Sequence, residues 1–271
     1  MRIYGRKLTL KKLPDTIILF FKILRVCKNP IKIFIHYIFR TSPEKIMLRN
    51  GLALKMGEHA HDLITFVVVF IKEDYGIVSE GGVVIDIGAN IGMFSIFAAS
   101  SKAKKVYAFE PNPNSYRTLK ENITANGFND IIVPINKAVT DTCETVFIPS
   151  ASSPHNQVVK DISEYSDNRT LVKVATTTLE RFIKDQKISK ISLLKLDCEG
   201  SEYQIIDSAS PNILKKINTI RMEVHGDKDK LIKLFRAPIF YEKKWSKGKR
   251  LNSLAGLKGL SSDLWLERKD L

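Results

Sequence analysis

Val83-Val84-Ile85-Asp86-Ile87-Gly88-Ala89-Asn90-Ile91-Gly92 is the stretch on which the fold turns. Its first five residues are apolar except for Asp86 and rich in β-branched side chains, so they read as a strand buried on both faces. Gly88 and Gly92 permit a tight turn, and Ile91 to Ser100 continues as a helix. The same alternation repeats downstream. Lys105 to Phe109 is a second strand, and the helix from Pro113 to Asn126 is stopped by Gly127. Ile131 to Ile135, Ile191 to Leu196 and Ile217 to Val224 are further strands, with helices near Thr178–Lys184 and Ser201–Lys216. Strand–helix alternation on this scale predicts an α/β fold with a doubly wound, mostly parallel sheet. Thr140 to Pro149 predicts a hairpin, followed by an exposed polar loop to Arg169. Phe240–Trp245 and Leu264–Glu267 predict an antiparallel pair at the C-terminal edge.

Ahead of this unit lie two amphipathic helices. Ile17, Phe20, Phe21 and Leu24 recur at helical spacing, Pro30 ends that helix, and Ile31, Phe34, Ile35 and Ile38 repeat the spacing up to Pro43. Asn50-Gly51 between Lys45–Arg49 and Leu52–Lys55 predicts a hairpin. A helix from about Ala60 to Lys72 carries Leu63, Phe66, Val67 and Phe70 on one face. The chain thus divides into a basic helical and hairpin extension, 1–59, and an α/β domain, 60–271.

A chain of 271 residues suits one large α/β domain or a medium one with an extension. With 44% hydrophobic and 27% charged residues, wholesale disorder is excluded. Cys27, Cys143 and Cys198 form no CxxC pair, which excludes a disulfide framework or a zinc finger and suits a reducing compartment. The net charge of +14 is unevenly placed: up to Arg49 stand twelve basic and two acidic residues. Such a cluster invites an anionic partner, either membrane surface, nucleic acid or phosphorylated ligand, or it is a solvated face that keeps the protein soluble. No apolar run reaches the ~18 residues of a membrane span. Neither does any secretory signal follow the Ile17–Phe21 run, so a cytoplasmic location is expected. The N-terminal helices either pack on the core or lie in a membrane interface.

In doubly wound sheets ligands bind beyond the carboxyl ends of the strands, where strand order reverses. The turn after the first strand is not the dinucleotide pattern GxGxxG, because Asn90 stands at the second glycine. Asp86 would repel a pyrophosphate there and favours a ligand with a positive end. After the second strand comes Glu110-Pro111-Asn112, and an acid at this place can accept from both hydroxyls of a ribose.

These residues resemble the FkbM family of S-adenosylmethionine-dependent methyltransferases. The likeness rests on Val84–Gly92, on Phe109-Glu110-Pro111-Asn112 and, most specifically, on Leu194-Lys195-Leu196-Asp197-Cys198-Glu199-Gly200-Ser201-Glu202. It covers roughly Asp62 to Gly226 and leaves out the basic N-terminal helices. It implies a Rossmann-like (class I) methyltransferase fold. It also implies methyl transfer to oxygen, often on sugars, glycan-like or polyketide-derived acceptors. Asp86, Gly88, Asn90, Gly92 and Glu110 then hold the donor S-adenosylmethionine, Asn112 assists at the ribose, and Asn136 reaches the adenine.

Asp197 closes the fourth strand, and Glu223 with His225 closes the fifth. His225 with a carboxylate partner is a candidate general base, with Asp197 acting on the acceptor and Glu199 and Glu223 in support. Alternatively a divalent cation held by Asp197 and Glu223 lowers the acceptor's pKa. Glu202 either joins this site or caps the following helix. Two rival functions remain open: a nucleic-acid methyltransferase, against which no Asn-Pro-Pro-Tyr-like tetrapeptide follows the fourth strand, and a non-catalytic membrane-surface protein that kept the fold. A glycan or glycolipid acceptor is the expected partner, with nucleic acid the less supported one.

Overall fold

The structure, a computed structural model, describes residues 2–3, 6–7, 13–57, 59–76, 78–150, 158–159, 170–225, 240–247 and 261–268. The N-terminal segment folds as helices α1 (Leu13–Val26) and α2 (Pro30–Phe39). A hairpin follows, β1 (Lys45–Met47) and β2 (Ala53–Lys55), turning at Asn50-Gly51. Helix α3 (Ala60–Phe66) runs on into a π turn over Val67–Ile71. Then come β3 (Val83–Ile87), α4 (Met93–Ser100), β4 (Lys105–Phe109), α5 (Pro113–Ala125) and β5 (Ile132–Ile135). The second half holds β6 (Val146–Pro149), β7 (Leu171–Val174), α6 (Leu179–Asp185), β8 (Ile191–Leu196), α7 (Glu202–Asp207), α8 (Pro211–Leu214) and β9 (Ile217–His225). Strands β10 (Phe240–Lys247) and β11 (Ser261–Arg268) complete the described chain.

Seven strands form one sheet in the order β10-β11-β9-β8-β3-β4-β5. The run β9-β8-β3-β4-β5 is parallel, and β11 pairs antiparallel with both β9 and β10. This is the doubly wound, Rossmann-like sheet with an antiparallel C-terminal edge. The chain leaves β3 toward β4 and β5, then returns to its other side with β8 and β9. Strand order therefore reverses between β3 and β8, which opens the crevice there.

Alternation along the strands splits the interior in two. Val84, Ala108 and Leu193 share a core with residues of α1, α3, α4 and α5. Ile85, Ile87, Leu194 and Leu196 share the other with residues of α6, α7 and α8. The first core runs unbroken from Leu19 and Ile23 of α1 through Phe66 to Leu193, across the boundary expected between 59 and 60. The hairpin is also tied to α5. The backbone N–H groups of Ala53 and Lys55 donate to Asn126 Oδ1 (2.8 Å) and Asn122 Oδ1 (2.7 Å), and both side-chain amides donate back to the same two residues' carbonyls. Asn122 of α5 and Asn126 at its C-terminal end thus satisfy a strand edge that has no neighbouring strand among the described residues.

The structure departs from the sequence reading in three places. The stripe Ile17–Phe21–Leu24 faces outward, while Thr16, Leu19 and Ile23 turn to the core. α1 is apolar around most of its circumference, so spacing alone selects neither face. The helix expected from Ser201 to Lys216 is two helices, because Pro211 removes an N–H and starts α8 anew. Instead of a local hairpin at Thr140–Pro149, β6 pairs with the distant β7, and Ala138–Val139 runs parallel to Thr176–Thr177. Most of the expected polar loop, 151–157 and 160–169, lies outside the described residues.

Candidate active site

The turn after β3 is built from left-handed residues: Gly88 at φ 78°, Asn90 at φ 50° and Gly92 at φ 89°. At Gly88 a side chain would also run into the backbone carbonyl of Asp197, so the glycine lets the loops after β3 and β8 touch. Asparagine tolerates the left-handed region better than most residues. Here Asn90 is pinned at both ends. Its side chain donates to Asp62 Oδ1 at 3.0 Å, and its backbone N–H donates to Glu110 Oε2 at 2.7 Å. Asp62, buried at the start of α3, has its carboxyl pushed up by burial, against the Asn90 hydrogen bond, the His59 charge and the Gly57 backbone.

Glu110, just beyond β4, is only 7% exposed. Its Oε1 accepts from the Asn112 backbone N–H at 2.8 Å, so each carboxylate oxygen holds one backbone donor. Burial pushes its carboxyl up to about 7, although the Asn112 and Asn90 N–H groups and the Lys195 charge favour the ionised form. Asn112 serves this arrangement from behind. Its Oδ1 caps α5 by accepting from Asn114 and Ser115 N–H, and its Nδ2 donates to the Pro149 and Ser150 carbonyls. Asn136 donates to the Glu110 and Pro111 carbonyls at 2.8 and 3.0 Å, which ties the end of β5 to the Glu110 turn.

Asp86 has no exposed surface. Its charge is matched from inside. Ser95 Oγ donates to Oδ2 at 2.6 Å, and the Lys195 ammonium lies 3.1 Å from Oδ1. The pairing follows from register, since Lys195 of β8 stands opposite Asp86 of β3. Lys195 Nζ also donates to the Gly88 carbonyl at 2.8 Å and lies 3.6 Å from Asp197 Oδ2. Burial works against its charge, but Asp86 and Asp197 outweigh burial and hold the ammonium above the ordinary lysine range. The Tyr75 hydroxyl donates to Asp197 Oδ2 at 3.3 Å. Asp62, Tyr75, Ser95 and Lys195 were not singled out from sequence. Only Lys195 carried a signal, a lysine inside a mostly apolar strand.

The loop after β8 has a fixed shape. Glu199 and Gly200 are left-handed, at φ 53° and 108°. The fully buried Glu202 accepts from the Cys198 N–H at 3.0 Å and the Gly200 N–H at 2.9 Å, so it stands at the start of α7 as a loop anchor. Glu223 is partly buried on β9, on the face that also carries Arg221. His225 ends β9, but its side chain lies outside the described residues. Asp197 faces an ammonium and a hydroxyl, and among the described residues no group of three or more His, Cys, Asp or Glu is placed to hold a metal.

Residues 86–242, more than half of the chain, match the family described as methyltransferase FkbM domain. The chain is 25% identical over 150 residues to the hexuronic acid methyltransferase AglP of Haloferax volcanii, covering 55% of this chain and 59% of that protein. It is 34% identical over 135 residues to a tRNA(Phe) aminocarboxypropyltransferase of Methanocaldococcus jannaschii, covering 48% of this chain and 52% of that protein. An rRNA methylase from Streptococcus thermophilus superposes with a TM-score of 0.46 at 11% identity, covering 74% of this chain and 95% of that one. The chain spans about half the length of these curated relatives.

Proposed function

Because the chain belongs to the methyltransferase FkbM domain family, we propose that it transfers a methyl group from S-adenosylmethionine to an oxygen of a sugar, glycan or glycolipid-type acceptor. The observation that carries this reading is Glu110. A buried carboxylate, oriented by two backbone N–H groups at the end of the second parallel strand, suits the paired hydroxyl donors of a ribose. The turn Gly88–Gly92 beside it gives close backbone approach. The donor supplies an electrophilic methyl group on a sulfonium centre. Asp86 and Lys195 are positioning residues that lock this turn to β8. At the acceptor side Asp197 orients the hydroxyl, His225 takes its proton, and Glu199 and Glu223 support them from the adjoining loop and strand. The hexuronic acid methyltransferase relative supports a carbohydrate acceptor.

A second reading, methyl transfer to nucleic acid, is favoured by the tRNA(Phe)-directed relative and the net charge of +14. Donor-dependent methyl labelling of a cell extract, fractionated into lipid, glycan, protein and nucleic acid, separates the two. Label in glycan or lipid supports the proposal; salt-sensitive label in RNA replaces the acceptor; no label in any fraction overturns both. His225→Ala and Asp197→Asn lose turnover by roughly 10²–10⁴-fold while keeping donor affinity. Full turnover in both variants would put the chemistry elsewhere.

A further inference from the structure

The outward face of the N-terminal helix pair is an apolar surface that no described residue covers. Among the described residues, the exposed large apolar side chains all lie on α1 or α2, from Leu24 at 38% to Ile31 at 66%. On α1 they include Ile17, Phe21 and Leu24, and on α2 Ile31, Ile35 and Phe39. Spacings of three, four and eight residues put each set on one side of its helix. The opposite sides are seated: Leu19, Ile23 and Ile33 belong to the main core, and the rings of Phe20 and Phe34 pack edge-on at 4.9 Å between the helices. The face is therefore a fixed platform. Monomeric soluble proteins rarely leave such contiguous apolar surface uncovered.

Lys22, Arg25, Lys28, Lys32 and Arg40 surround this face and are all exposed, with Asp15 the exposed acid on these two helices. We propose that α1 and α2 dock flat on an anionic lipid bilayer, with the apolar side chains in the interface and the basic ones at the headgroups. Charge decides the occupant. A second copy would set one positive cluster against another, whereas an anionic surface neutralises it. Geometry decides the orientation. α1 has 14 residues, about 21 Å of helix against the ~30 Å hydrocarbon layer, and no helix among the described residues is long and apolar enough to cross a membrane.

The test uses the full chain with phosphatidylcholine vesicles, with and without phosphatidylglycerol. Co-sedimentation is expected with the anionic vesicles at low salt, falling as salt is raised. Ile17→Ser, Phe21→Ser, Ile31→Ser and Ile35→Ser combined remove most of the face without touching Leu19 or Ile23, and are expected to weaken binding by about tenfold or more with an unchanged melting transition. Lys22→Gln, Arg25→Gln, Lys28→Gln and Lys32→Gln combined are expected to remove the preference for anionic lipid, a readout that stands if the serine variant fails to fold. Absence of binding at low salt, or no preference for phosphatidylglycerol, overturns the proposal. So does a dimer in sedimentation velocity that the serine variant converts to monomer, which assigns the face to a second copy.

Discussion

Replacing Glu110 by Gln tests the donor-site assignment through two independent titrations. The carboxyl ionises at about 7 in the fold, against an ordinary value of 4.5, because burial outweighs its N–H donors. The folded chain thus binds this proton more tightly than the unfolded chain. Stability contributed by the group is full below about 4.5 and is lost as pH rises to about 7. At about 1.4 kcal/mol per pH unit, ionising Glu110 in the fold costs about 3 kcal/mol. Urea denaturation of wild type and Glu110→Gln should therefore give stability curves that diverge by about this amount between pH 4 and pH 8, with wild type falling relative to the variant. Donor binding should run the other way. Ribose hydroxyls donate to the ionised form, so affinity for S-adenosylmethionine rises about tenfold per pH unit below 7 and levels above it. In Glu110→Gln this dependence disappears, and affinity above pH 7 drops by the about 1.5–3 kcal/mol of a charge-assisted hydrogen bond. Parallel stability curves would refute the buried ionisation. Unchanged donor affinity in a folded Glu110→Gln variant would refute the ribose assignment.

Lys195→Met leaves the fully buried Asp86 without its ammonium and should cost about 3–5 kcal/mol in urea denaturation. Adding Asp86→Asn should recover most of that loss, and a double variant no more stable than the single would break the pairing argument. Gly88→Ala and Gly127→Ala compare two glycines with left-handed φ. At Gly127 nothing lies in the way of a side chain, so thermal unfolding should show backbone strain of about 1 kcal/mol. At Gly88 the clash with the Asp197 carbonyl should add about 1–3 kcal/mol more, and equal losses would mean that the two loops do not touch.

The parallel sheet was legible in the sequence because its signals are local. A strand buried on both faces is a continuous apolar run, and Val83–Ile87, Lys105–Phe109 and Ile191–Leu196 fold at the bounds read from composition alone. The left-handed turn at Gly88 and Gly92 was legible for the same reason, since glycine's freedom is a property of the residue itself. Glu110 could be placed because it follows a strand end directly. Partners set by packing were not legible. That Lys195 stands opposite Asp86 follows only from strand register, and that the Asn112 side chain caps α5 only from the folded turn. Asp62 and Tyr75 come to the crevice from an N-terminal segment whose pattern shows helices but not where they dock. α1 shows the limit most plainly. Its sequence offers apolar residues on nearly every side, and only the shape of the core decides that Leu19 and Ile23 go in while Ile17, Phe21 and Leu24 stay out. Periodicity and turn conformation depend on a residue and its near neighbours along the chain. Charge pairing and the choice of buried face depend on which distant surface arrives, and that is decided by the tertiary fold.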